Sequence, residues 1–259
     1  MINLEPVILL SGGKGSRMST LNNNNEIPPK ALTLINSTPL ISHSIKNFID
    51  YGYRNFIFAL GYKGSFIIKY FETKKKIFGY NLNLFTKHKD FEKVSITDCK
   101  SINILLVNTG INVNKTQRIY KIISKLNLND FIVTYADGVG DINLYRMKKK
   151  HYKNNYLCTC ASFIPKSQYG HFLYSKNKLV DLIEKPLLSS QVNIGYFFFK
   201  PGIIDYIKKN LNTDLENGLL KKIAIKSKMQ TYLHTGFWKS IDTLKDANEL
   251  SQILKNDKK

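Results

Sequence analysis

The sequence predicts an α/β protein built on a doubly wound, mostly parallel sheet. In the first half of the chain, short apolar runs rich in β-formers alternate with stretches of helical periodicity, and the connections between them are short. After about residue 155 the pattern changes to strand-like segments joined by turns, which predicts a small β-rich portion. With 259 residues, 43% of them hydrophobic, the chain can bury a sizeable core, which excludes wholesale disorder.

The first half supplies strands and helices in alternation. Strands are predicted at Val7–Leu10, Phe56–Leu60, Asn103–Val107 and Phe131–Tyr135. Helices are predicted at Pro39–Tyr51, Ser65–Phe71, Lys115–Leu126 and Ile142–His151. The helix at 39–51 shows the pattern best, because its apolar residues fall on one stripe: Leu40, Ile41, Ile45, Phe48 and Ile49.

The second half supplies shorter strands and then helices. Strands are predicted at Leu157–Phe163, Phe172–Tyr174, Val180–Ile183, Tyr196–Lys200 and Thr231–His234. Helices are predicted at Gly202–Leu211, Leu215–Lys226 and Thr243–Lys255. The polar segment Ser19–Pro29, with asparagines at 22–25, is predicted to be a long mobile loop.

The net charge of +20 suggests a phosphate-rich partner, such as nucleic acid, an anionic membrane or a polyanionic substrate. The charge comes from 35 Lys and 4 Arg, whereas proteins that read phosphates and bases favour arginine forks. The Lys triplets at 74–76 and 148–150 fall on helix-like surface segments. We therefore favour a solvated surface over a nucleic-acid interface, which stays open as the rival interpretation.

The cysteines indicate a reducing compartment. Cys99, Cys158 and Cys160 form no C-x-x-C pair, and the last two are predicted to point to one face of a strand as small buried hydrophobes. The first residues lack a basic segment, and no apolar run approaches the length of a membrane span. We expect a cytoplasmic protein without a signal peptide.

A glycine-dense turn follows the first strand, with Leu10, Ser11, Gly12, Gly13, Lys14, Gly15, Ser16 and Arg17 in order. It matches neither the P-loop nor the G-x-G-x-x-G spacing. Its backbone N–H groups could approach a polyphosphate, with Lys14 and Arg17 to neutralise it. An ordinary turn that uses glycine for a positive φ explains the same residues equally well.

Several motifs, taken in order along the chain, favour the phosphate-binding interpretation of this turn over the ordinary one. Ser-Gly-Gly-x-Gly-Ser-Arg at 11–17, followed by Pro29-Lys30, resembles the signature of sugar-1-phosphate nucleotidyltransferases. The resemblance narrows to the glucose-1-phosphate cytidylyltransferase branch at L-G-Y-K-G (60–64), V-N-T-G (107–110) and T-Y-A-D-G-V (134–139). It continues at E-K-P (184–186), N-I-G-Y-F (193–197) and G-F-W-K-S-I-D-T-L (236–244), across nearly the whole chain.

The resemblance implies a Mg²⁺-dependent cytidylyltransferase in a Rossmann-like nucleotidyltransferase fold. Asp137 and Asp242 would be metal ligands; their alternatives are a turn Asp before Gly138 and an N-cap of the last helix. Arg17, Lys30 and Lys185 would be catalytic, with Lys185 on the acceptor phosphate. Leu10 to Lys14, Thr109, Gly110 and Arg118 would bind nucleotide, and Tyr169, Gly170, Glu184, Lys185 and Asn193 would bind the acceptor. For the lysines the alternative is a random surface position, and for Asn193 it is a strand-end turn.

The resemblance also implies an organisation and a set of partners. We expect one domain over 1–259, with a nucleotide-binding half at 1–155 and an acceptor-binding half with the C-terminal helix at 156–259. CTP and a small phosphorylated acceptor, for capsule or surface-glycan synthesis, would be the substrates, and a homo-oligomer is expected. No nucleic acid or membrane partner is expected.

One segment differs from the motif of the glucose-1-phosphate cytidylyltransferase branch. Its T-G-G-R pattern corresponds here to Asn114-Lys115-Thr116-Gln117-Arg118, so both glycines are replaced by larger polar residues while the arginine is kept. The added bulk predicts a narrower pocket for the base or acceptor. Glucose 1-phosphate is therefore one candidate acceptor, and a non-sugar phosphate such as phosphoglutamine, used in capsule phosphoramidate assembly, is another.

Overall fold

The structure, a computed structural model, describes residues 4–13, 28–92 and 100–256. The strands in chain order, β1 to β15, are Val7–Leu10, Leu34–Ile35, Thr38–Pro39, Asn55–Leu60, Lys76–Ile77, Tyr80–Phe85, Ser101–Asn108, Phe131–Tyr135, Gly138–Gly140, Cys158–Phe163, His171–Ser175, Lys178–Ile183, Val192–Phe199, Met229–His234 and Trp238–Ser240. The α-helices, α1 to α8, are Leu40–Asp50, Gly64–Glu72, His88–Glu92, Lys115–Lys125, Leu144–Lys153, Ile203–Lys208, Lys221–Ile225 and Leu244–Asn256. A 3₁₀ turn spans Lys30–Leu32, and a π-type helix spans Leu215–Leu220.

A nine-stranded sheet in the order β14-β10-β13-β8-β1-β4-β7-β6-β5 forms the centre of the molecule. Strand β1 lies between β4 and β8 and is parallel to both, with Leu9 opposite Phe58 on one side and Thr134 on the other. The pairs β4–β7, β6–β7 and β10–β14 are also parallel, whereas β13 runs antiparallel to β8 and β10. The predicted mostly parallel sheet is therefore confirmed.

Helices cover both faces of this sheet, because its inner strands are apolar on both sides. On one face α1, α2 and α5 pack through residues such as Phe48, Phe71 and Met147. On the other face α4, α6 and the Leu215–Leu220 helix pack through residues such as Ile122 and Ile207. The sheet is thus doubly wound, as the alternating pattern predicts.

Helix α8 belongs to a smaller apolar cluster beside the sheet. Ala247 and Leu250 of α8 pack with Ile35, Leu40 and Ile241. This contact holds the C-terminal helix against the start of α1, so residues near 240 lie close to the first third of the chain.

Several sequence predictions need correction. The alternating segment Tyr80–Phe85 is a strand of the main sheet that was not predicted, although Leu82 and Leu84 share one face. The segment predicted as one helix at 215–226 begins with π-type turns before α7. The Lys triplet at 74–76 follows α2 and enters β5, so it does not lie on a helix, whereas the triplet at 148–150 lies on α5.

Other expectations are confirmed or lie outside the described residues. Cys158 and Cys160 are 0% and 2% exposed and lie in the same apolar cluster, as predicted. Cys99 and most of the polar segment at 19–29 lie outside the described residues. Within the described part of the chain, no helix is both long enough and apolar enough to cross a bilayer.

Candidate active site

The turns that follow the parallel strands β1, β4, β7 and β8 meet at one edge of the sheet. The strand order reverses at β1, because the chain runs outward to β4 and β7 and then returns to place β8 on the opposite side. Doubly wound sheets bind ligands in the crevice at such a reversal, beyond the carboxyl ends of the strands. Here that crevice lies between the turn at 11–13 and the turn that contains Asp137.

Lys30 joins the two predicted metal ligands in this crevice. Its Nζ lies 3.0 Å from Oδ2 of Asp137 and 2.8 Å from Oδ1 of Asp242. The Lys30 side chain is 12% exposed, whereas those of Asp137 and Asp242 are 42% and 38% exposed. The lysine is therefore held within the protein, and both carboxylates keep part of their surface open to solvent. We call these three residues the Lys30 cluster.

A short two-stranded ladder brings Asp242 to Asp137. Strand β15 pairs antiparallel with β9, so that Ser240 lies opposite Gly138. The N–H of Ile241 donates to the carbonyl of Asp137 at 3.0 Å. Backbone pairing thus brings two carboxylates from distant parts of the sequence within hydrogen-bonding distance of one lysine.

Another residue caps the helix that follows Asp242. The N–H of Asp246 donates to Oγ1 of Thr243 at 3.1 Å, and Oδ2 of Asp246 accepts from the N–H of Thr243 at 2.8 Å. This reciprocal pair is a capping box for α8. The interpretation of Asp242 as the N-cap is therefore wrong, since its carboxylate pairs with Lys30 and accepts from Oγ of Ser240 at 3.2 Å.

A buried arginine fastens the turns after β1, β4 and β7 to one another. Arg118 on α4 is 5% exposed. Its Nη1 donates to the carbonyl of Leu60 at 3.0 Å and to Oγ1 of Thr109 at 2.5 Å, and its Nη2 donates to the carbonyls of Gly12 and Ile111, each at 3.3 Å. Burial lowers the pKa of this guanidinium, which nevertheless stays protonated in proteins. Arg118, predicted to bind nucleotide, thus has its donors on the protein itself and positions the turns.

Two glycines make room for this arginine. A Cβ at Gly12 would lie 2.5 Å from Nη1 of Arg118, and a Cβ at Gly61 would lie at the same distance from that atom. Such distances are far inside van der Waals contact. The glycine in the turn after β1 therefore has a steric cause, separate from any approach to phosphate.

The other predicted nucleotide-binding residues that the structure describes lie at the end of β1 and in the turns after β1 and β7. Leu10 ends β1, Ser11 donates its hydroxyl to the carbonyl of Ala59 at 3.3 Å, and Gly13 is exposed with open space around it. Gly110 adopts a φ of +99°, which favours glycine. Lys14 and Arg17 are outside the described residues and stay predictions.

The predicted acceptor-binding residues gather at the base of a two-stranded ribbon formed by β11 and β12. A Cβ at Gly170 would lie 2.9 Å from Oε2 of Glu184, so the two ends of the ribbon approach closely there. Tyr169 is 75% exposed. Lys185 is 60% exposed, has a left-handed φ of +46°, and places Nζ 3.8 Å from Oε1 of Glu184. These residues lie close to one another, but they are not buried.

Asn193 lies at the start of β13, next to the crevice. Its Oδ1 accepts from the N–H of Gly195 at 2.8 Å, and Asn193 pairs with Ser162 of β10, so it is a strand residue and not the turn residue of the alternative interpretation. Its side chain also hydrogen-bonds the hydroxyl of Tyr135. Asn193 is exposed, so contact with an acceptor stays a prediction.

Comparison with known proteins decides the class of protein. A family profile described as nucleotidyl transferase matches residues 6–256. The chain is a member of the nucleotidyl transferase family. It is 30% identical to the "Probable glucose-1-phosphate cytidylyltransferase" of Bacillus subtilis, covering 95% of this chain and 94% of that protein. It is 26% identical to the glucose-1-phosphate cytidylyltransferase of Salmonella typhi, covering 92% and 91%.

A solved structure supports the same fold. The crystal structure of apo UDP-glucose pyrophosphorylase superimposes with a TM-score of 0.67 at 17% identity, covering 99% of this chain and all of that chain. The resemblance to sugar-1-phosphate nucleotidyltransferases and the fold class are thereby confirmed. The protein is an enzyme of this class.

A charged cluster beside the crevice of this nucleotidyltransferase was not predicted from the sequence. The hydroxyl of Tyr135 donates to Glu216, and Nζ of Lys115 lies 2.5 Å from Oε2 of Glu216 and 3.3 Å from Oδ2 of Asp214. Burial and the charge of Glu216 raise the pKa of Tyr135, so its phenol stays protonated as a donor. The departure at 115–117 was the one signal in the sequence that pointed to this region.

The residues that stand in place of the two glycines lie in the first turn of α4. The N–H of Gln117 donates to Oδ1 of Asn114 at 2.8 Å, and Oε1 of Gln117 accepts from the N–H of Asn114 at 3.2 Å. Lys115 turns to Glu216, and Thr116 is fully buried. The side chains of Lys115 and Gln117 thus have local partners, whereas the buried Oγ1 of Thr116 has no hydrogen-bond partner among the described residues, and a narrowed pocket stays a prediction.

Proposed function

We propose that this nucleotidyltransferase transfers CMP from CTP to glucose 1-phosphate or a related sugar phosphate and releases pyrophosphate. The Lys30 cluster at the reversal of strand order is the observation that carries the proposal. The L-G-Y-K-G, V-N-T-G and T-Y-A-D-G-V motifs and the relatives named cytidylyltransferases support CTP as the nucleotide.

The reaction needs no protein nucleophile, because the acceptor phosphate is already an anion. One of its oxygens forms a bond to the α-phosphorus of CTP while the bond from that phosphorus to the bridging oxygen of the β-phosphate breaks. The electron pair leaves with pyrophosphate. Catalysis then consists of holding the two substrates in line and neutralising the charge on the phosphoryl oxygens.

The chain's own cations carry out this neutralisation. Lys30 contacts the triphosphate with an ammonium group oriented by Asp137 and Asp242, so little reorganisation is needed on binding. Lys185 takes the acceptor phosphate at the base of the ribbon. Arg17 and Lys14, which belong to the glycine-dense motif, would neutralise the leaving pyrophosphate.

The donor set fits a divalent cation shared with the substrate. Among the residues that the structure describes, no group of three His, Cys, Asp or Glu side chains could hold a metal by itself. Mg²⁺, however, is usually bound by one or two carboxylates plus substrate phosphates, and Asp137 and Asp242 converge on one cation, Lys30. These two residues would hold Mg²⁺, which when bound supplies additional charge neutralisation at the α-phosphate.

The proposed product is a CDP-activated building block for capsule or surface-glycan synthesis in the cytoplasm. The enzyme would act as one domain, with nucleotide bound by the first half and acceptor by the second. We also propose that it acts as a homo-oligomer.

Release of pyrophosphate tests the proposal. The purified protein with Mg²⁺ is supplied with each of four nucleoside triphosphates and a panel of acceptors that includes glucose 1-phosphate, mannose 1-phosphate and phosphoglutamine. We expect the highest kcat/KM for CTP with a sugar 1-phosphate. Release with another triphosphate would overturn CTP, release with phosphoglutamine alone would overturn the sugar acceptor, and no release with any pair would overturn the reaction.

A further inference from the structure

A chain of hydrogen bonds joins Asn193, at the start of β13, to Lys115 in the first turn of α4. The side-chain amide of Asn193 hydrogen-bonds the hydroxyl of Tyr135, and that hydroxyl donates to Glu216. Both carboxylate oxygens of Glu216 accept from Nζ of Lys115, at 2.6 and 2.5 Å. We call these four residues the Asn193 network. It begins beside the crevice and ends in the segment that differs from the cytidylyltransferase motif.

The directions of these bonds fix the orientation of the amide. A phenol carries one hydrogen for donation, and an amide group carries two. Since the hydroxyl of Tyr135 gives its hydrogen to Glu216, its oxygen accepts from the amide nitrogen of Asn193. Oδ1 of Asn193 accepts in turn from the N–H of Gly195 at 2.8 Å. The amide is therefore held at both ends, and its second N–H can meet a hydroxyl of a ligand.

The ring of Tyr135 is held as well as its hydroxyl. A Cβ at Gly195, which has a φ of +82°, would overlap this ring, so the ring packs directly on the backbone of β13. The ring also meets that of Phe197 edge to face, with centroids 5.8 Å apart, and Nζ of Lys115 lies 5.6 Å from its centroid. Tyr135 is thus fixed against the same strand that carries Asn193.

Glu216 lies on the π-type helix, which the first turn of α4 fastens in place. Nδ2 of Asn114 donates to the carbonyl of Leu211 at 2.8 Å, and Nζ of Lys115 lies 3.3 Å from Oδ2 of Asp214 as well as close to Glu216. Helical turns of the π type are rare and occur frequently at functional sites. The carboxylate that accepts from Tyr135 is therefore itself oriented by protein contacts.

The same three residue types occur together at the opposite edge of the sheet. The hydroxyl of Tyr152 donates to Oε1 of Glu5 at 2.6 Å, and Nζ of Lys148 donates to Oε2 of Glu5 at 2.7 Å. Glu5 precedes β1, whereas Tyr135 ends the parallel strand β8, so the two groups lie at the amino and carboxyl edges of these strands. The group at the amino edge provides a matched control, because it has the same chemistry away from the crevice.

We propose that Tyr135 and Glu216 are positioning residues for the acceptor, which hold the amide of Asn193 in the orientation that meets a hydroxyl of the sugar phosphate. This inference rests on the proposed function. Strand β13 runs antiparallel to β8 and pairs Tyr196 with Thr134, so Asn193 lies beyond the carboxyl end of β8, where the crevice is. Loss of the network should therefore weaken the acceptor and leave CTP unaffected.

Steady-state pyrophosphate release by the full chain tests this role with CTP, Mg²⁺ and whichever of glucose 1-phosphate and mannose 1-phosphate the wild type prefers. For Tyr135→Phe, which removes one hydroxyl, we expect KM for the sugar phosphate to rise about tenfold, with kcat and KM for CTP within about twofold of wild type. Tyr152→Phe breaks the same kind of bond at the amino edge. Both variants should lower the melting temperature by similar amounts, but Tyr152→Phe should keep the wild-type KM.

Two further comparisons separate positioning from general packing. A glutamine at position 216 still accepts from Tyr135 through its amide oxygen, so Glu216→Gln should keep KM for the sugar phosphate within about threefold of wild type, whereas Glu216→Ala should match Tyr135→Phe. In an Asn193→Ala background, Tyr135→Phe should raise this KM no further, because its effect passes through that amide.

The possible failures are distinguishable. An unchanged KM for the sugar phosphate in Tyr135→Phe, an equal rise in KM for CTP, an equal rise in Tyr152→Phe, or an effect additive with Asn193→Ala would each overturn the positioning role and leave the proposed function standing. If wild type releases no pyrophosphate with either sugar phosphate and any triphosphate, the proposed function and the positioning role are both wrong.

Discussion

The crevice and the ribbon hold the two lysines proposed to be catalytic in opposite ways. Lys30 is 12% exposed and lies within 3.0 Å of two carboxylates, whereas Lys185 is 60% exposed and lies 3.8 Å from one exposed carboxylate. An exposed pair of that kind contributes little to position or stability. The difference teaches that the fold itself orients Lys30 through two carboxylates, whereas it leaves the side chain of Lys185 only weakly constrained.

The largest expected effect is at the Lys30 cluster. Asp137→Asn removes one of two charges that orient Lys30 and would hold Mg²⁺, so kcat should fall by about 10³-fold or more. Steady-state pyrophosphate release at saturating CTP and acceptor measures the change. The melting temperature should move little, because the Asp137 side chain is 42% exposed.

Asp50→Asn is the matched control for this substitution. Asp50 is a half-exposed carboxylate paired with Lys46 on α1, away from the crevice. It should keep wild-type kcat. Full activity in Asp137→Asn would show that Asp137 is not a metal ligand and is not needed to orient Lys30.

The second effect concerns stability. Arg118→Met removes four hydrogen bonds, to Leu60, Thr109, Gly12 and Ile111, from a buried site, which should lower the free energy of unfolding by about 3 kcal/mol although Leu60 and Gly12 each keep a backbone donor. Urea denaturation measures the loss. Because the turns after β1 and β7 would loosen, KM for CTP should rise more than KM for the acceptor.

Arg118→Lys separates charge from geometry at the same position. A lysine keeps the charge but cannot donate to all these acceptors at once, so the stability of this variant should lie between that of Arg118→Met and that of wild type. A wild-type denaturation midpoint in both variants would show that the turns hold together without this arginine.

The third effect concerns Lys185 at the base of the ribbon. Lys185→Ala should lower kcat/KM for the acceptor by about 100-fold while leaving KM for CTP and the melting temperature unchanged, because this side chain is exposed and makes one long ion pair. Lys178→Ala, an exposed lysine on β12, serves as the control. Equal loss in both variants would point to general charge rather than to a phosphate contact.

The smallest effect tests the departure at α4. Gln117→Gly restores the residue of the related branch and removes half of the capping box, at a cost of about 1 kcal/mol in unfolding free energy. Thermal denaturation measures this cost. Because Gln117 folds back onto Asn114, the order of preference among acceptors should stay the same. A changed order would instead support the narrower pocket that the sequence predicts.

Much of the central sheet could be predicted, because its strands are short apolar runs between clear helical patterns. Phe131–Tyr135 is predicted to the residue, and the helix at 40–50 within one residue at each end. The short strands β9 and β15 could not be predicted. Their sequences have no periodicity of their own, and the two strands form only because they pair with each other across a long sequence separation.

Part of the candidate site could also be predicted from motif order. The motifs implied Asp137, Asp242 and Lys30 separately, but their convergence on one lysine depends on the β9–β15 ladder. The role of Arg118 was not predictable, because the motif does not reveal whether a guanidinium meets a ligand or the backbone. Glu216 belongs to none of the motifs, and its partners Tyr135 and Lys115 are brought near by tertiary packing.

The packing of Arg118 between Gly12 and Gly61 also constrains how this protein can evolve. A side chain gained first at either glycine would collide with the guanidinium, 2.5 Å from the new Cβ. A loss of Arg118 first would remove the four hydrogen bonds that join the turns after β1, β4 and β7. Either order of change passes through a less stable intermediate, so the three positions behave as one heritable unit, and drift at any of them requires stability gained elsewhere in the fold beforehand.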